Sequence, residues 1–103
     1  MITVTFYKHS ADFFGYEFSG HSDYAESGYD IVCAAVSSAA YLTANNITDV
    51  FSIKADVTVS DGHMKLTAPK SDILNNLVDG LYRHTLQLTE QYPNDIKVKI
   101  SEV

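Results

Sequence analysis

A nucleophile and a base stand close together in one stretch of this 103-residue chain. Residues 20–37 read Gly-His-Ser-Asp-Tyr-Ala-Glu-Ser-Gly-Tyr-Asp-Ile-Val-Cys-Ala-Ala-Val-Ser, and they hold the single cysteine, Cys33, and one of four histidines, His21. His21 follows an alternating apolar run that reads as a strand. Cys33 lies just inside a run that reads as a helix. A thiol near a helix entrance, with an imidazole offered from a strand end, suggests a cysteine nucleophile and its general base. An ordinary thiol is only about 3% ionised at pH 7, so it needs help to attack. With Asp30 as N-cap, Cys33 becomes the third helical residue, where the helix dipole contributes roughly 0.3–1 kcal/mol. An imidazole that takes the thiol proton does more, by holding an ion pair. Backbone amides at the same entrance suit an oxyanion, and acyl transfer is the reaction class that fits.

Each of these residues also has a plainer reading. Cys33, among Val32, Ala34 and Ala35, fits a small buried hydrophobe, since free Cys is often fully buried. Gly20 and Gly28 fit turns. Asp30 fits a cap better than a third catalytic member, because its charge opposes a thiolate. Ser37, one turn after Cys33, fits a packing or hydrogen-bonding role, and Asp23 and Glu26 fit solvated loop charges. His9 and His63 fall in expected turns and His84 on the second expected helix. Zinc held by Cys33, His21 and one further histidine has no compact ligand spacing behind it, so neither metal nor cofactor is expected.

The elements that position the pair follow from periodicity. Ile2, Val4 and Phe6 alternate with Thr3, Thr5 and Tyr7; Phe14, Tyr16 and Phe18 alternate with Gly15, Glu17 and Ser19. Two strands joined by the short polar link 8–12 make an antiparallel hairpin. Gly20 then lets the backbone turn sharply before His21. Residues 22–29 read as a loop, and a helix is expected from Ile31 to about Asn46, with Ala34, Ala35, Ser38, Ala39 and Leu42 facing the sheet. Val57 and Val59 mark a third strand, Asp61-Gly62 a hairpin turn, and Met64 and Leu66 a fourth strand. Ser71 caps a second helix striped by Ile73, Leu74, Leu77, Val78, Leu81 and Leu88, in which Gly80 suggests a close contact. Ile96, Val98 and Ile100 form the last strand. The order β-β-α-β-β-α-β, with one apolar face per strand, predicts an α+β two-layer sandwich: a mainly antiparallel five-stranded sheet with two helices on one face.

The whole chain sets outer limits. Its length fits one domain, residues 1–103. A formal charge of −6 and scattered tyrosines argue against direct nucleic-acid binding and are compatible with basic partners. There is no membrane-length apolar run and no signal-peptide pattern at the start, so a cytoplasmic location is expected. One cysteine leaves no internal disulfide.

The residues also resemble a known family. Gly20-His21, a loop with Gly28 near its end, then Asp30-Ile31-Val32-Cys33-Ala34 and Ser37 are similar to the ribosomal-processing cysteine proteases called Prp. The likeness runs along nearly the whole chain, with Ser22 where the family usually has Ala. It implies a small cytoplasmic endopeptidase and a homodimer, with His21 as base and Cys33 as nucleophile. It implies removal of an N-terminal extension, ending in aromatic residues, from large-subunit ribosomal protein twenty-seven. It further implies an apolar site beside Cys33 and a loop, residues 22–29, that closes over the peptide with Gly28 as hinge. The alternatives are a non-catalytic module that holds a peptide or anion at the helix entrance, and a ribosome-assembly partner that binds the precursor without cutting it.

Overall fold

The computed structural model describes residues 1–20 and 27–103, with side chains described for 1–20 and 31–103. Strands β1 (Ile2–His9) and β2 (Asp12–Ser19) form the opening hairpin, followed by helix α1 (Ser27–Asn45), which runs on into a π-helical turn at Asn46–Val50. Strands β3 (Asp56–Ser60) and β4 (His63–Thr67), helix α2 (Asp72–Gln91) and strand β5 (Ile96–Glu102) complete the chain. The strands form one sheet in the order β3-β4-β2-β1-β5. Three neighbour pairs are antiparallel, and β1 and β5 are parallel. This is the expected α+β sandwich.

Helix α2 seals one half of the core. Its Tyr82 ring meets Phe6 and Phe13 with centroids 5.2 and 5.3 Å away. The Asn75 side chain accepts a 2.8 Å bond from the Phe13 amide, and the Ser71 hydroxyl caps the helix by accepting from the Leu74 amide at 3.2 Å. The buried stripe is Leu74, Val78, Leu81, Thr85 and Leu88; of the expected stripe Ile73 is exposed and Leu77 only partly buried, and Thr85 joins it. A Cβ on Gly80 would meet nothing within 4 Å, so that glycine marks open space rather than the expected close contact.

Two expectations about side-chain direction need correction. The β1–β2 register shifts between Tyr7 and Lys8, so that Tyr7 faces Gly15 while Lys8 faces Phe13. The extra residue is a β-bulge, and it changes the phase of the strand. Phe13 therefore joins Tyr16 and Phe18 in the core, and Phe14 lies on the other face beside Tyr7. Among the described side chains of α1 the buried ones are Val32, Val36, Ala40, Thr43 and Ala44, not the stripe of Ala34, Ala35, Ser38, Ala39 and Leu42. Ala34, Ser38 and Leu42 are exposed, while Ala35 and Ala39 are partly buried. The seat of α1 on the sheet is fixed at Tyr16, buried beneath it, whose hydroxyl donates to the Ala40 carbonyl at 2.7 Å.

Candidate active site

Burial along α1 determines where Cys33 points. Successive residues turn by about 100°. Val32, Val36 and Ala40 face the sheet, while Ala35, Ala39 and Leu42 face a groove shared with Leu77 and His84 of α2. Cys33, Ser37 and Tyr41 follow each other at four-residue spacing and so share the opposite flank, away from α2. Cys33 is a free, partly buried thiol packed against the edge of the core. Cys33 is therefore not fully buried, yet it still packs as a small side chain against the core, as the plainer reading has it. Ser37 is also partly buried and lies one turn further along the same flank.

The helix begins four residues earlier than expected, at Ser27. Asp30 is then the fourth helical residue and not the cap, and Gly28 is the second helical residue and not a loop residue. Cys33 becomes the seventh, about 9 Å of helical rise beyond Ser27. The unpaired amides belong to the first four helical residues, and the dipole effect fades within the first turn. The Cys33 amide lies inside the helical ladder and is not free for an oxyanion. Both contributions assigned above to a helix entrance at Cys33 are lost. His21, Ser22, Asp23 and Glu26 lie outside the described residues, as does most of the expected lid.

Gly20 has the role its type suggests. Its φ is +113°, and a Cβ there would come within 2.4 Å of the Met1 carbonyl oxygen. Its amide donates to the Gly62 carbonyl at 3.0 Å, which ties the end of β2 to the β3–β4 turn. The residue immediately before His21 is thus anchored from two sides.

The three described histidines are engaged or located elsewhere. His9 pairs through Nδ1 with the Val103 carbonyl at 2.8 Å. His84 is exposed on the α1–α2 groove, whose volume is about 670 Å³ and which lies on the flank of α1 opposite Cys33. His63 lies on the outer face of the sheet, where its Nε2 pairs with Glu17, and Glu17 accepts from the Tyr7 hydroxyl. The Tyr7 bond, opposed by desolvation and reinforced by His63 and Lys65, holds the Glu17 carboxyl below its ordinary range. Burial first, then Glu17, pushes the Tyr7 hydroxyl up to about 12. This cluster joins β1, β2 and β4 on the face away from the helices, so the sheet itself separates it from Cys33. Because the Glu17 shift is downward, its contribution to stability is present at neutral pH and is lost as pH falls through the lowered value. Among the described residues no group of three His, Cys, Asp or Glu side chains is placed to hold a metal. No described helix is long and apolar enough to cross a membrane.

Comparison with known proteins adds to this geometry. Residues 1–97 match the family described as Cysteine protease Prp. Comparison with curated protein sequences finds no match. Among solved structures, SMU.848 from Streptococcus mutans is similar with a TM-score of 0.87 at 23% identity, covering 100% of this chain and 96% of that one. The essential ribosomal processing protease Prp from S. aureus, in complex with a substrate peptide, also gives a TM-score of 0.87 at 23% identity, covering 98% and 100%. The same S. aureus protease with a covalently linked product peptide gives 0.84 at 24% identity, again covering 98% and 100%. At these identities the structures establish the shared fold.

Proposed function

Because the chain belongs to the cysteine protease Prp family, we propose that it is a ribosomal-processing endopeptidase that works through a Cys33–His21 dyad in a single catalytic domain. The substrate is the precursor of large-subunit ribosomal protein twenty-seven, cut to remove its N-terminal extension. The enzyme acts in the cytoplasm as a homodimer. The observation that carries the reading is the position of Cys33, partly buried on the open flank of α1. The S. aureus relative, whose fold is the same, holds a substrate peptide.

In this mechanism the His21 imidazole takes the proton from the Cys33 sulfur. The thiolate attacks the peptide carbonyl carbon, and the C–N bond breaks as the imidazolium protonates the leaving amine. Water, deprotonated by the same imidazole, then attacks the thioester, releasing the acid product and restoring the thiol. Since the Cys33 amide is inside the helical ladder, the dyad must supply most of the activation. Asp30 and Ser37 are helix residues flanking Cys33 by three and four positions and are assigned supporting roles only. Gly20 anchors the strand end and Gly28 lies in the first turn of α1.

The test is mass spectrometry of a synthetic precursor peptide after incubation with purified enzyme. The wild type is expected to yield two fragments, and Cys33→Ala and His21→Ala none, with thermal unfolding unchanged. Fragments formed by Cys33→Ala would remove the assignment. Binding without fragments from the wild type would favour a non-catalytic module.

A further inference from the structure

The core face of the sheet is not fully covered. All five residues of β3 are exposed. Val57 pairs with Leu66 and Val59 with Met64, so both valines point to the same side as the core, yet they are 42% and 56% exposed. Among the described residues, neither helix reaches over them. The uncovered strip lies beyond Phe18, which Tyr41 touches from the flank of α1 that carries Cys33. Tyr41, 41% exposed, sets its ring edge-on against Phe18 at 6.3 Å. Phe18 pairs with Met64 and Met64 with Val59, which puts Val59 two strands, about 10 Å, beyond the Tyr41 contact. Cys33 is two turns, about 12 Å of rise, before Tyr41 on the same flank.

Among the described residues, the outer edge of β3 is also open. Opposed pairs in an antiparallel ladder alternate between bonded and unbonded. The pair that closes a two-residue turn is bonded, and here that pair is Ser60 with His63. Thr58 and Asp56 therefore point their main-chain groups toward β4, whereas Val57 and Val59 point theirs outward. An edge strand is ordinarily blunted by lysine, proline or a bulge. At the opposite margin of the sheet, β5 carries Lys97 and Lys99. Strand β3 reads Asp-Val-Thr-Val-Ser and carries none of these.

We propose that β3 is the substrate-binding strand: the peptide being cut adds to its free edge in extended form and lays apolar side chains on the shelf of Val57, Val59 and Tyr41. This deepens the reading under Proposed function and rests on it. Continuity with the Cys33 flank favours the substrate as the occupant. Charge agrees, since Asp56 and Asp61 bracket the strand in a chain of net charge −6, which suits a peptide with basic residues beside apolar ones. Main-chain pairing supplies affinity in such an arrangement, and alternate side chains supply selectivity.

The probe is a fluorescent peptide spanning the extension of ribosomal protein twenty-seven. Its Kd is measured by anisotropy on Cys33→Ala protein with and without Val57→Ser and Val59→Ser, and its kcat/KM is measured on the same pair of changes in active enzyme. The two serines are expected to raise Kd at least tenfold and lower kcat/KM by a similar factor, with thermal unfolding within a few degrees of the parent. N-methylation of successive peptide amides is expected to weaken binding at every second position. An unchanged Kd and no alternation would overturn the proposal while leaving the dyad reading intact. A peptide that the wild type neither binds nor cuts would overturn the reading beneath it. Loss of self-association in the serine variants at constant Kd would give the edge to a second copy of the chain and overturn the proposal.

Discussion

The two helices cover the sheet differently. Helix α2 is capped at Ser71, strapped to β2 through Asn75, and packed on an aromatic cluster of Phe6, Phe13 and Tyr82. Helix α1 presents mostly small residues to the sheet, shows Ile31, Tyr41 and Leu42 to solvent, and leaves β3 uncovered. One half closes the core and the other keeps a thiol, a ring and two valines accessible. On the proposed reading, stability and chemistry are drawn from different halves, joined at Tyr16 and Phe18 of β2.

The largest effect that would break this division comes from the closed half. Phe6→Ala removes a fully buried ring between two aromatic partners and is expected to cost about 3–5 kcal/mol in urea unfolding. That is a large share of the ~5–15 kcal/mol typical of a domain. A cost below about 1 kcal/mol would show that α2 does not carry the core. A smaller effect sharpens the boundary. Tyr16→Phe deletes the buried hydroxyl that donates to Ala40 and keeps the ring. It is expected to cost about 1 kcal/mol of stability. If that bond also sets the seat of α1, kcat/KM falls by up to about fivefold, the rate equivalent of the same energy.

The contrast also explains what could be read from the sequence. The α2 stripe is legible because Leu74, Val78, Leu81 and Leu88 are large apolar residues set among polar ones, so only one face can be buried. In α1 nearly every residue from Ile31 to Ala40 is small or apolar. Periodicity then selects no unique face, and the buried side falls on Val32, Val36 and Ala40. The start of α1 was hidden for a related reason. Asp30 resembles a cap, but Ser27, Gly28 and Tyr29 continue the helix before it. The β2 bulge is invisible because Phe13 and Phe14 are both apolar, and either phase gives an alternating strand. The strand β3 was legible, but its lack of cover was not, because that depends on how far a helix reaches. Cys33 was legible by type and motif; its flank required coordinates. Val57 and Val59 carried one signal, apolar residues at alternating positions that pattern alone assigns to the core face; Tyr41 carried none.

Alkylation of Cys33 by iodoacetamide as a function of pH tests the central claim most directly, because the single cysteine makes the site unambiguous. Native wild-type protein is expected to label at pH 6 at least about tenfold faster than His21→Ala protein, as the proposed proton transfer from Cys33 to His21 requires. Identical profiles for the two proteins, both rising only in the range of an ordinary thiol, would contradict the pairing of Cys33 with His21.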